Sequence, residues 1–247
     1  MGKISLEGKT ALITGSAVRV GRETALACAR AGMQVVIHYN RSREKAEELC
    51  SLIAQEGSRS WTLQADFTQA DQFDAFIGQV IETAGPLFLL VNNASSFPES
   101  ALDSMTLDNL VQQIEVNAWA PFALGRAFSR RITDGCIINL LDQRIASFDW
   151  KHVSYILSKQ LFAAMSRMMA VAFAPGIRVN GIAPGLILPP ENEPVSYIER
   201  LANTVPLKRH GDPADIAESV LFLASSSYIT GETIFVDGGR HLIEYQR

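Results

Sequence analysis

The sequence predicts a doubly wound α/β fold, one domain over residues 1–247 with a parallel sheet of about seven strands and helices on both faces. Three observations carry this expectation. Short, near-continuously apolar runs alternate with helical patterns along the chain, as strands covered on both faces by crossover helices require. The first run leads into a glycine-bearing turn that opens a helix, the arrangement of a βαβ unit. Apolar residues make up 47% of the 247 positions, enough for a sizeable core in a length that one α/β domain can fill.

The strand runs are "TALITG" (10–15), "QVVIHYN" (34–40), "SWTLQAD" (60–66), "FLLVNNA" (88–94), "CIINLL" (136–141), "IRVNGIAPG" (177–185) and "TIFVDGG" (233–239). Between the second and third, Ser42 stands as an N-cap, Ala46, Leu49, Cys50 and Ile53 fall on one helical face, and Gly57 follows as the stop. Residues 153–174 read as a long apolar helix ending at "APG". The stretch 185–206 interrupts the alternation, and its Pro, Glu and Asn content predicts a loop or lid. In this architecture ligands sit beyond the carboxyl ends of the strands.

Composition excludes several classes. A net charge of -4 argues against a nucleic-acid partner, which needs a basic face. No apolar run approaches the roughly 18 residues of a membrane span, and the start "MGKISLEGK" lacks an apolar signal core, so a cytoplasmic location is expected. Cys28, Cys50 and Cys136 have no CxxC spacing and read as reduced, buried thiols. The histidines at 38, 152, 210 and 241 are too scattered for a metal motif, so no metal is expected.

The turn "TGSAVRVG" (14–21) carries the first chemistry. Gly15 permits a tight turn, and Gly21 permits close approach at a helix start whose free N–H groups favour a pyrophosphate. Arg19 stands where the usual fingerprint has its middle glycine. At the end of the second strand, where an acid would meet a ribose 2′-hydroxyl, the sequence reads "HYNRS", with no acid before Glu44. A carboxylate would repel a 2′-phosphate, whereas Arg41, Ser42 and Arg19 can bind one. NADP is therefore the expected cofactor. Asp66, ending the third strand, fits either the adenine edge or a plain turn.

Tyr155 and Lys159 lie four apart in "YILSK", so one helical face presents both. A tyrosine with an ordinary pKa of about 10 needs a neighbouring cation to work near neutral pH. Thirteen residues before the tyrosine stands a carboxylate, Asp142.

With Thr14-Gly15 and Gly21, Asn92-Asn93-Ala94, Asn117, Tyr155 with Lys159, Pro184-Gly185 and "ITGETIFVDGG" (229–239), the chain resembles the short-chain dehydrogenase/reductase family along essentially its whole length. The resemblance implies a Rossmann-type fold and a homotetramer. Tyr155 would be the general acid or base, Lys159 would bind the nicotinamide ribose and lower the tyrosine pKa, and Asn117 would position water behind the lysine. It also implies a cofactor cradle of Gly15, Arg19, Val20, Gly21, Tyr39, Asn40, Arg41, Ser42, Asp66, Phe67, Asn93, Ala94, Asn117, Tyr155, Lys159, Pro184, Gly185 and Ile187. The family's usual carbonyl-polarising serine is absent, and Ser147 and Ser154 are out of register for it.

The departures resemble one branch. "TGSAVRVG", "HYNRS", "NNASSFPES" and the Asp142–Tyr155–Lys159 set are similar to pteridine reductases and bacterial dihydromonapterin reductases. In that branch an aromatic stacks the pterin, here Phe97 with Ser95 beside it, and the aspartate replaces the serine. The substitution makes chemical sense. A ketone oxygen wants a donor, whereas a pterin offers N–H groups to a carboxylate. The substrate set implied is Ser95, Phe97, Asp142 and Tyr155. Two alternatives stay open: a carbonyl or 3-oxoacyl-thioester reductase with the same cofactor, and a non-catalytic NADP-binding regulator. Trp61 and Trp119 read as core or subunit contacts, and the arginines at 130–131 as a solvated helix end. Trp150 reads as a pocket wall or a bystander, and Arg240 and His241 as surface residues.

Overall fold

A computed structural model describes residues 2–69, 72–190 and 193–243. Seven strands, β1 (Thr10–Ile13), β2 (Gln34–Tyr39), β3 (Ser60–Gln64), β4 (Leu87–Asn92), β5 (Gly135–Leu140), β6 (Ile177–Pro184) and β7 (Thr233–Val236), form one parallel sheet. Their order is β3-β2-β1-β4-β5-β6-β7, so the winding reverses between β1 and β4 and opens a crevice beyond their carboxyl ends. All seven expected strands form. The residues that trail each run, such as Thr14-Gly15 and Asn93-Ala94, leave the sheet and enter that crevice.

The apolar runs are continuous because both sheet faces are covered. Along the central strands successive side chains point to opposite faces. Ala11, Ile13, Val35, Ile37, Leu89, Val91, Cys136 and Ile138 pack under α1 (Arg19–Arg30), α2 (Arg43–Gln55) and α8 (Pro213–Ser225). The intervening Leu12, Val36, Leu90, Ile137 and Val179 pack under α3 (Phe73–Ala84), α5 (Ala120–Ser129) and α6 (Val153–Ala172). Leu12, Ile13, Leu89 and Leu90 are wholly buried, each side chain contributing about 1.5–3 kcal/mol of transfer free energy.

Three expectations need correcting. The 185–206 stretch is not only loop: α7 (Val195–Ala202) forms there and buries Ile198, because a short amphipathic run follows Pro194. The acidic part at Glu191 and Asn192 lies outside the described residues. Ser42 occupies the N-cap position of α2 but makes no side-chain cap bond, since its backbone is not extended there. Cys28 and Cys136 are buried as expected, with burial pushing their thiols up to about 12 and about 11, whereas Cys50 is half-buried and donates to the Ser60 carbonyl. Among the described residues no helix is long and apolar enough to cross a membrane, and no cluster of His, Cys, Asp or Glu could hold a metal ion.

Candidate active site

The turn after β1 is shaped by close backbone approach. Gly15 has φ +62°, and a Cβ there would stand 3.0 Å from the Ala94 Cα. A Cβ on Gly21 would lie 2.5 Å from the Gly15 carbonyl oxygen and 2.6 Å from the Asn93 amide nitrogen, so only glycine lets α1 begin this near the turn. Arg19 also has positive φ, +56°. It keeps the left-handed backbone of a glycine while adding a guanidinium, which donates to the Pro189 carbonyl at 2.6 Å. Thr14 Oγ1 accepts from the amides of Asn93 and Ala94, both at 2.9 Å, fixing the β1 and β4 turns together. The first N–H groups of α1, from Arg19, Val20 and Gly21, have no acceptor within the helix. The cradle fits a pyrophosphate.

Beside it, Tyr39 ends β2, and Asn40, Arg41 and Ser42 lead into α2, whose first acid is Glu44. Arg41 is exposed. Asp66 accepts from the Thr68 amide and hydroxyl at 3.1 and 2.9 Å. Those two bonds, with lesser help from Arg41 and Asn40, hold its carboxyl below the usual range. Asp66 thus serves the turn directly, and its place at the end of β3 keeps it beside Asn40. Arg41→Ala is expected to weaken NADPH selectively over NADH by about 10- to 150-fold, the worth of one charge-assisted contact. Paired Kd titrations check this, and equal turnover of the unaltered protein with both dinucleotides would contradict it.

The catalytic candidates converge at the ends of β5 and α6. Tyr155 Oη donates to Asp142 Oδ2 at 3.1 Å. Asp142 Oδ1 accepts from the Arg144 amide at 2.8 Å, which makes Asp142 the N-cap of a short 3-10 turn, Gln143–Ala146. Lys159 Nζ is buried and donates to the Leu140 carbonyl at 2.7 Å. Burial lowers its pKa to about 8, opposed by the Asp142 charge.

The expectation that Lys159 lowers the tyrosine pKa is not met in this arrangement. Burial raises Tyr155 well above 10, the Asp142 charge and hydrogen bond raise it further, and Arg144 and Ser95 offset only part. The Lys159 ammonium lies 5.8 Å from the Tyr155 ring centroid and is spent on a carbonyl. The Asp142 carboxylate touches the phenol itself and keeps it protonated.

Asn117 lies in a π-helical turn, Glu115–Trp119, between α4 (Leu107–Ile114) and α5, a distortion frequent at functional sites. Its Oδ1 accepts from Ser95 Oγ and the Ser96 amide, both at 2.9 Å. Its Nδ2 donates to the Ser96 carbonyl, Gln113 Oε1 and Ser158 Oγ. These bonds all go to protein groups, so Asn117 clamps the 95–96 segment to α4 and α6. That segment presents Phe97, which is 43% exposed and therefore not a core anchor. The Phe97 ring stacks on His152 at 4.0 Å and meets Tyr155 edge-on at 4.6 Å. His152 Nδ1 and Arg144 both contact Asp149, at 2.9 Å each. Trp150 is 60% exposed with Phe148 tilted toward it at 6.2 Å. Ser154 and Ser147 are both buried, and the Ser147 backbone carbonyl accepts from the Gln160 side chain at 3.5 Å.

On the far side, Gly185 follows Pro184 at the end of β6, and a Cβ there would lie 2.5 Å from that of Asp237. Ile187 is buried below it. Asp237 accepts from the Gly239 amide and from the amide and ring of His241, at 2.9, 2.6 and 2.8 Å. His241 also stacks on Phe235 at 4.0 Å, so it is part of a packed turn and not the surface residue expected. Arg131 pairs with Asp74, and Trp119 lies at the surface against Phe122 and Arg126.

Sequence reasoning missed Gln113, Ser158, Asp149, His152 and, above all, His38. His38 sits in β2, 2% exposed, with Phe67 stacked on it at 4.2 Å. Burial lowers its pKa to about 4, the bond to Ala65 opposing. With a folded value below the ordinary 6.5, its contribution to stability is complete above pH 6.5 and is lost as pH falls from there toward 4. The full loss is about 3 kcal/mol. Urea midpoints of wild type and His38→Asn at pH 7 and pH 5 are expected to converge on acidification.

Comparison with known proteins places this site in a family. A family profile described as enoyl-(acyl carrier protein) reductase matches residues 15–241. The 3-oxoacyl-(acyl-carrier-protein) reductase FabG of Staphylococcus aureus is 34% identical over 242 residues, covering 95% of this chain and 98% of that protein. The crystal structure of FolM alternative dihydrofolate reductase 1 from Brucella suis, in complex with NADP, superposes with a TM-score of 0.91 at 32% identity, covering 97% of each chain. The same protein from Brucella canis, complexed with NADP, gives 0.90 at 32%, covering 97% of this chain and 96% of that one. The chain belongs to the short-chain dehydrogenase/reductase family.

Proposed function

We propose that the protein is a cytoplasmic NADPH-dependent reductase of a pteridine, a dihydropterin or dihydromonapterin-like compound. The observation that carries this reading is the Asp142 carboxylate on the Tyr155 hydroxyl, where a ketone reductase of the family needs a donor. The Gly15–Gly21 turn would hold NADPH, which when bound would supply the hydride for a ring C=N bond. Tyr155, kept protonated by burial and by Asp142, is set to give a proton to the nitrogen as the hydride adds. That direction suits a reductase. Asp142 accepts ring N–H or amino groups and so orients the heterocycle, while Phe97, beside Tyr155, half-exposed and stacked on His152 through one face, stacks the heterocycle through the other. Arg41 and the acid-free end of β2 support NADP over NAD. The FolM relatives, described as dihydrofolate reductases and solved with NADP, point the same way.

The FabG relatives favour a second reading, a 3-oxoacyl-thioester reductase with the same cofactor and Tyr/Lys pair. NADPH oxidation with dihydrobiopterin, an acetoacetyl thioester and a simple diketone decides between them. A preference for the thioester would overturn the pteridine reading. NADPH binding without turnover on any of the three would favour a regulatory NADP binder. We also propose a homotetramer, supported by the exposed apolar stripe Leu157, Leu161, Met168 and Val171 along α6. Light scattering tests it.

A further inference from the structure

The turn that would meet the pyrophosphate is held from two sides. The Thr14–Gly15 peptide donates through the Gly15 N–H to His38 Nδ1 at 3.0 Å, and its carbonyl, Thr14 O, accepts from Asn93 Nδ2 at 2.8 Å. The next peptide repeats the pattern. The Ser16 N–H donates to the His38 carbonyl at 3.0 Å, and Gly15 O accepts from the same Asn93 amide at 3.1 Å. Two successive peptide planes are thereby fixed between a residue of β2 and one that follows β4. A glycine at positive φ has little intrinsic preference for one orientation, so the bracing has to come from neighbours.

The imidazole has one consistent protonation state here. The Gly15 N–H can only donate, so Nδ1 must accept. Nε2 then carries the hydrogen and donates to the Ala65 carbonyl at 3.1 Å, one residue before Asp66. The ring is walled by Phe67 and, edge-on, by Phe76 at 5.5 Å, which leaves no competing partner among the described residues. We infer that His38 is a positioning residue for the dinucleotide: with Asn93 it locks the Gly15–Ser16 turn in the orientation that clears the pyrophosphate site, and it ties that turn to the β3 end at Ala65. The inference rests on the NADPH reading and is independent of which substrate is reduced.

Two polar variants separate the two bonds. In His38→Asn the shorter amide puts an acceptor where Nδ1 stands but cannot reach Ala65, so this variant keeps the Gly15 bond alone. His38→Gln places its polar atoms farther out and keeps the Ala65 bond alone. Fluorescence titration with NADPH and with NADH is the measurement. His38→Gln is expected to raise both Kd values by about tenfold, the low end of the loss when a buried donor goes unpaired, and by the same factor for each dinucleotide. His38→Asn is expected to stay within about threefold of wild type. KM for NADPH should follow Kd, with kcat at saturation changed much less. Equal affinity of His38→Gln and wild type, equal losses in the two variants, or a loss confined to NADPH would overturn the inference. If wild type binds neither dinucleotide, the cofactor reading fails first and takes this one with it. A purely structural role would lower melting temperature and leave Kd of the folded protein unmoved, which also counts against it.

Discussion

Tyr155→Phe is expected to lower NADPH-dependent turnover by about 10²–10⁴-fold, the usual worth of a positioned proton donor, while NADPH binding stays nearly intact. The phenol bonds to Asp142 Oδ2 and has the Ser95 side chain as a second polar neighbour, and its ring contacts with Phe97 survive the substitution. Lys159→Ala should behave differently. Its ammonium is buried and held by the Leu140 carbonyl at the end of β5, so removal costs local order and a cation facing the proposed ribose as well as turnover. Single-turnover rates at saturating NADPH, with dinucleotide Kd measured alongside, separate the two cases. Full activity in Tyr155→Phe would remove the tyrosine from the mechanism and leave Asp142 as the proton donor.

Different parts of this molecule were legible in the sequence for different physical reasons. The seven strands could be read because burial on both faces forces unbroken apolar runs, and each run ended where the chain entered the crevice. The turn at 14–21 could be read because its glycines answer a steric demand that no other residue meets. Arg19 shows the limit of that reading, since it adopts the same left-handed backbone with a side chain attached. α7 was hidden because eight amphipathic residues between prolines look like loop. His38 was hidden because a lone histidine in an apolar strand reads equally well as a satisfied core residue. Its partners are backbone atoms of residues 15 and 65, and no side-chain pattern records them. The pairing of Tyr155 with Lys159 followed from helical spacing, but the sign of the tyrosine shift did not. That sign comes from burial first and then from Asp142, brought across by the turn that it caps itself.

Asp142→Ser is expected to cut pterin reduction by about 10- to 150-fold, the loss of a charge-assisted hydrogen-bond partner, and to confer some reduction of simple β-keto thioesters. The carboxylate accepts from Tyr155 and from the Arg144 amide, which leaves lone pairs that suit N–H donors and nothing that suits a ketone oxygen. A serine hydroxyl reverses that preference by offering a donor to a carbonyl. It should also ease the Tyr155 pKa downward, since one of the causes raising it is the Asp142 charge. The pH profile of the variant on thioesters is therefore expected to shift toward lower pH than that of wild type on pterins. Phe97→Ala should separately weaken pterin binding by about 1–3 kcal/mol of stacking, a magnitude taken from base–aromatic contacts, with little effect on a thioester that has no ring to stack. Flat diaminopteridines should compete with substrate because they present a π-face to Phe97 and extra donors to Asp142. Steady-state kcat/KM for wild type, Asp142→Ser and Phe97→Ala on dihydrobiopterin and acetoacetyl thioester tests all of this at once. Were Asp142→Ser to reduce pterins as well as wild type does, the carboxylate would have no part in recognising them, and the 3-oxoacyl-thioester reading would be the one left to explain the Tyr155–Lys159 pair.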